Sequence, residues 1–147
     1  MSAGPDRSSK MRFRVRYSET DQMGTFYNSR ALEWFEVGRT ELLRSLGVPY
    51  AQMEERGILL PLVEAHLEYL GRARYDDELE MTVSAQMSGR ARVRFDVSIR
   101  HADNAAGEQS PDSGRGVVKG YTVHAVMDSS GKPARPPAWF TDALAIG

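Results

Sequence analysis

The sequence predicts an α+β fold in which one long helix is wrapped by a curved antiparallel sheet of about five strands. Three observations predict it. A segment of period two opens the patterned part of the chain, at residues 11–18. A single amphipathic stretch of helical period follows. After Gly57 the period returns to two and holds through four further segments. A helix with one apolar stripe has to bury it, and a single sheet curved around it is the economical solution.

Residues 1–10, MSAGPDRSSK, contain no apolar run. They are expected to form a disordered tail, not a secretory signal. Residues 11–147 are expected to form one domain. In the first strand Met11, Phe13, Val15 and Tyr17 alternate with Arg12, Arg14, Arg16 and Ser18. The polar residues 19–25, with Gly24, read as a loop. Asn28 and Ser29 are candidate N-caps. Ala31, Trp34, Phe35, Gly38, Leu42 and Leu46 then recur at three- and four-residue steps, giving a helix of roughly five turns ended by Gly47 and Pro49. Gly38 costs this helix about 1 kcal/mol against Ala. Close approach to a sheet or a ligand is one reason to accept that cost. A short helix is expected over residues 50–56.

Four strands follow. Val63, Ala65, Leu67 and Tyr69 carry the first apolar face, and Leu79, Met81, Val83, Ala85 and Met87 the next. Ala91, Val93, Phe95, Val97 and Ile99 carry the third, and Val117, Tyr121, Val123, Ala125 and Met127 the last. The loop at 101–114 is rich in Gly, Ser, Asp and Asn and is expected to be mobile. A proline-containing tail starts at Asp128 and ends in a short apolar stretch.

Composition excludes several functions. The net charge is -1 over 147 residues, which argues against a general nucleic-acid binder. No run approaches 18 apolar residues, so no transmembrane helix is expected. The chain has no cysteine, which removes disulfides, a thiol nucleophile and thiolate metal sites, and suits the cytoplasm. His66, His101 and His124 show no metal-ligand spacing. Arginine outnumbers lysine sixteen to three; codon bias is one reading of this, and bidentate phosphate contacts are another.

One constellation carries chemistry. Asp21 stands seven residues before Asn28, and Gly24 lets the chain fold back between them. A helix N-terminus offers unpaired N–H groups and partial positive charge. It could hold an oxyanion formed from a carbonyl while a carboxylate attacks that carbonyl or activates water. The same pattern also fits an aspartate that merely satisfies loop amides.

The chain resembles the hotdog-fold thioesterases of the 4-hydroxybenzoyl-CoA thioesterase family. The resemblance lies in Arg14-Val15-Arg16-Tyr17, Glu19-Thr20-Asp21, Gly24, Tyr27, and Trp34-Phe35-Glu36 with Arg39. It continues in Leu60-Pro61-Leu62-Val63-Glu64-Ala65, in Ala73-Arg74-Tyr75-Asp76-Asp77-Glu78-Leu79, and in Gly120, Thr122 and His124. It implies a hotdog fold, hydrolysis of acyl-CoA thioesters without a cofactor, and a homodimer or homotetramer. It implies that Asp21 is the catalytic carboxylate and that the Asn28 backbone N–H is the oxyanion donor, with Gly24 and Tyr27 in the same motif. CoA is expected to bind through Arg90 and Arg92 before the fourth strand, with Lys119 and Glu64 as further candidates. Asn28 departs from the family's broad acyl-CoA branch, which has His there. Two other functions remain open on such a scaffold: a hydratase or dehydratase, which would call for a histidine near the helix, and a non-enzymatic acyl-CoA sensor or binding module.

Overall fold

A computed structural model describes residues 8–103 and 111–145. Strand β1 (Ser8–Arg14) leads through a 3-10 turn at Tyr17–Glu19 to helix α1 (Arg30–Ser45) and the short helix α2 (Tyr50–Glu55). Then come β2 (Ile58–Leu59), β3 (Leu62–Tyr69), β4 (Glu78–Met87), β5 (Arg92–His101), β6 (Gly116–Ala125), β7 (Met127–Asp128) and α3 (Ala138–Leu144). The main sheet has the order β1-β4-β5-β6-β3, and every pairing in it is antiparallel. Helix α1 packs on β1, β4 and β5. This is the expected hotdog arrangement.

The apolar faces of β4 and β5 are as the alternation predicts: Leu79, Met81, Val83, Ala85, Val93, Phe95, Val97 and Ile99 are buried. They receive Ala31, Trp34, Phe35, Gly38 and Leu42 from α1. Gly38 owes its place to the sheet. A Cβ there would lie 2.6 Å from Val83 Cγ2 and 2.9 Å from Met81 Sδ. Gly38→Ala is therefore expected to destabilise the fold by about 1–3 kcal/mol through overpacking, despite the better helix propensity of alanine. Urea unfolding checks this.

The structure corrects four expectations. β1 begins at Ser8, inside the expected tail, because residues 8–14 pair with 84–78 of β4. Tyr17 is not on a buried strand face. Strand pairing ends at Arg14, the chain turns, and Tyr17 is 77% exposed. The expected buried face of β3 is exposed, with only Leu67 partly covered, because β3 is an edge strand beyond the reach of α1. The last strand is split: β6 ends at Ala125, and β7 pairs with β2 in a separate two-stranded sheet. The apolar end of the tail forms α3, which packs Phe140 and Leu144 into the core. Residues 104–110 of the loop expected to be mobile lie outside the described residues.

His124 on β6 is 3% exposed. Its Nδ1 meets the Leu60 carbonyl at 3.0 Å and its Nε2 meets Thr122 Oγ1 at 3.0 Å. A carbonyl only accepts, so Nδ1 carries the proton and the threonine hydroxyl donates to Nε2. Burial pushes the imidazole pKa down to about 4, and the Arg39 charge adds to this. The unfolded chain takes that proton near pH 6.5, so the unfolded state binds more protons between pH 6.5 and 4. Stability is expected to fall across that window by about 3 kcal/mol from this group. Urea midpoints measured against pH should lose this part of their slope in His124→Asn.

Candidate active site

The loop between β1 and α1 is built on Asp21. Its backbone N–H donates to the Thr25 carbonyl at 2.8 Å, and its own carbonyl accepts from Gly24 at 3.1 Å. Its Oδ1 accepts from the N–H groups of Met23 at 2.8 Å and Thr25 at 3.3 Å. Gly24 closes this turn at φ +82°, where a side chain would be strained. Oδ2 has no hydrogen-bond partner among the described residues. One carboxylate oxygen thus anchors the loop while the other is open. The reading of Asp21 as an aspartate that satisfies loop amides describes its Oδ1 contacts.

The loop is held in place from two sides. Thr25 Oγ1 bridges the Ala73 N–H and carbonyl, each at 3.3 Å, and Phe26 N–H donates to Ala73 at 3.1 Å. Ala73 opens the Arg-Tyr-Asp-Asp corner, where Asp76 takes φ +68° and its N–H donates to the Val15 carbonyl at 2.8 Å. On the helix side, Glu19 is 2% exposed. Its Oε2 accepts from the Trp34 indole at 2.8 Å, its Oε1 accepts from the Arg16 N–H at 2.7 Å, and its carbonyl accepts from Tyr27 at 2.8 Å. Burial pushes the Glu19 carboxyl up. The Arg16 N–H, the Trp34 indole and the Arg16 guanidinium together outweigh burial and hold it below the usual carboxylate value.

Helix α1 starts without a side-chain cap, since Ser29 is the N-cap residue but makes no capping bond. Among the described residues the N–H groups of Asn28 and Ser29 meet no acceptor. The Asn28 carbonyl is fixed by the Tyr69 hydroxyl of β3 at 2.7 Å. Open donors at a helix N-terminus suit a developing oxyanion. Asp21, Gly24 and Tyr27 line one cleft with Tyr17, Thr20, Arg74 and Tyr75. The Tyr17 and Tyr75 rings meet edge to face at 5.6 Å.

The structure does not bring the other sequence candidates to this cleft within one chain. Arg90 and Arg92 are exposed at the β4–β5 turn. Asp21 sits beside the corner that precedes β4, and β4 has ten residues, so the two ends are roughly 30 Å apart. Lys119 and Glu64 lie on the sheet face turned away from α1, where Glu64 accepts from the Tyr121 hydroxyl at 2.6 Å. Arg74 is the cation that lines the Asp21 cleft. Sequence reasoning missed Glu19, Tyr69 and Arg74 as site residues. Arg74 stood inside the quoted corner motif. Glu19 stood in the Glu19-Thr20-Asp21 motif, but its burial was not legible, because a buried carboxylate looks like any loop glutamate in sequence.

The family model of the thioesterase-like superfamily matches residues 15–144. YneP of Bacillus subtilis, named as a candidate acyl-CoA thioesterase, is 45% identical over 69 residues, which is 47% of this chain and half the length of YneP. A protein of Aquifex aeolicus named as a candidate esterase is 34% identical over 94 residues, covering 64% of this chain and 73% of that protein. The crystal structure of a DHNA-CoA thioesterase from Staphylococcus aureus superposes with a TM-score of 0.78 at 26% identity, covering 92% of this chain and 85% of the other. With a family match across nearly all of its length and a hotdog core that carries the loop ahead of α1, the chain belongs to the thioesterase-like superfamily.

Proposed function

We propose that this chain hydrolyses acyl-CoA thioesters to a free acid and CoA, in the manner of the 4-hydroxybenzoyl-CoA thioesterase family, in the cytoplasm. Two features support the reading: among the described residues Asp21 has one carboxylate oxygen unbonded, and the N–H groups of Asn28 and Ser29 at the start of α1 are open. A thioester carbonyl is electrophilic and a thiolate leaves readily, so a carboxylate and an oxyanion site suffice. By one route Asp21 Oδ2 bonds to the carbonyl carbon, the C–S bond breaks, and water hydrolyses the mixed anhydride. By the other, Asp21 takes a proton from a water that attacks the same carbon. In both routes the released thiolate takes up a proton and no cofactor is called for. The names of YneP and of the Staphylococcus aureus enzyme support a CoA ester as substrate.

The reading includes a homodimer or homotetramer. β3 is a sheet edge with both faces largely exposed, including Leu62, Val63 and Tyr69. Such an edge is a template for a second copy. Antiparallel pairing of β3 with itself would place the β4–β5 end of one sheet beside the Asp21 end of the other. The partner subunit's Arg90 and Arg92 would then face the CoA phosphates at this chain's cleft.

A panel of aromatic, short-chain and medium-chain acyl-CoA esters, assayed for thiol release, tests the activity. Turnover well above background with at least one class is expected. Negligible rates across the panel would move the function to an acyl-CoA sensor or to carrier-protein thioesters.

A further inference from the structure

A second cavity lies away from the Asp21 cleft, on the flank of α1. It measures about 320 Å³ and is lined by Glu36, Arg39, Thr40 and Leu43 of α1, by Tyr50 of α2, by Leu60, and by Phe95 and His124 of the sheet. The four α1 residues fall at i, i+3, i+4 and i+7, one stripe beside the stripe that packs on the sheet. Arg39 lies nine residues into α1 from Arg30, about 13 Å along the axis. The size is that of a small-molecule site.

The walls are held by contacts within the chain. Phe95 and His124 are both buried and meet edge to face at 5.4 Å. The Tyr50 hydroxyl accepts from the Leu60 N–H at 3.2 Å. Both ring nitrogens of His124 are already engaged, and the ring is neutral above about pH 4. Leu43 and Leu60, both buried, line the same cavity with small apolar patches.

Arg39 is the anomaly. It is half-buried, yet among the described residues its guanidinium makes no hydrogen bond, ion pair or ring contact. Arg39 is in none of the ion pairs among the described residues, although Glu36 stands one helical turn away. Burial lowers its pKa, while Glu36 and Tyr50 push back. A guanidinium taken partly out of water without a partner is costly, and a carboxylate is its best geometric match.

We propose that this cavity is a binding site for a small organic carboxylate with an apolar body, its anion on Arg39 and its body against Phe95, Leu43 and Leu60. The neutral His124 adds no competing charge, and Glu36 is the nearby negative charge that opposes a carboxylate. The test is a binding measurement, so it can be made whether or not the chain turns over a CoA ester.

Ligand-observed NMR with benzoate and hexanoate as probes, and benzyl alcohol as the neutral control, tests it. Saturable binding of a carboxylate probe to the wild type is expected, with benzyl alcohol at least tenfold weaker. Arg39→Met should weaken carboxylate binding at least tenfold. Glu36→Gln changes only an exposed side chain, so it guards against an Arg39 variant that fails to fold. It should tighten binding severalfold by removing the nearby negative charge. Carboxylate and alcohol binding alike, binding that does not respond to Glu36→Gln, or benzoate binding that survives Arg39→Met would each overturn the proposal.

Discussion

Asp21→Asn is expected to lower thioester turnover by at least about a hundredfold, the scale of a lost general base or nucleophile. The substitution keeps the side-chain oxygen that accepts from Met23 and Thr25, so the loop turn survives. It removes the negative charge at the oxygen that has no partner. Fold and CoA binding should persist, so the loss falls on kcat more than on KM. Single-turnover hydrolysis by the wild type in ¹⁸O-water separates the two routes. Label entering the Asp21 carboxylate marks the anhydride, and label only in the product acid favours direct water attack. Normal turnover by the Asn variant would reduce Asp21 to its role as a turn residue.

Glu19→Ala is expected to destabilise the fold by about 3 kcal/mol. The change strands the indole N–H of Trp34, which is 4% exposed, and the N–H of Arg16. An unsatisfied buried donor costs about 1–3 kcal/mol. The Arg16 side chain is 72% exposed, so its ion pair with Glu19 adds little. Glu19 is a positioning residue: its carboxylate ties the 3-10 turn to α1, and its carbonyl ties the same turn to Tyr27 next to the helix start. Turnover should therefore fall along with stability. Glu19→Gln keeps an acceptor for the indole and should recover about half of the lost stability, while a residue that merely fills space would show no such rescue. The pH dependence has a defined sign. The folded-state carboxyl sits below its ordinary value, so its contribution is present above about pH 4.5 and is lost as pH falls below that. Urea unfolding at pH 7 and pH 4 checks both points.

Patterns of period and punctuation were enough to locate α1, β4, β5 and most of β6. A helix and a half-buried strand have different side-chain repeats, and the buried faces of β4 and β5 are the predicted ones. The Asp21–Gly24 turn was also legible, since a glycine with positive φ and an aspartate are local turn chemistry. Gly38 could be read as a close approach, and the structure decided that the approach is to β4.

What the tertiary structure decided concerns position. The alternation of β3 looked like that of β4, yet only the place of β3 at the sheet edge leaves its apolar residues bare. Arg90 and Arg92 suited phosphate by type, and only the length of β4 puts them far from Asp21 in the same chain. Glu19 and Arg39 are charged residues in stretches where solvent exposure is the rule. One is buried among donors and the other lines a cavity without a partner. The sequence by itself determined which residues repeat, cap and turn, because those are properties of neighbours along the chain. It could not determine which polar side chains are taken out of water, because burial depends on residues brought together from distant segments: Trp34 for Glu19, and Phe95, His124 and Leu60 for Arg39.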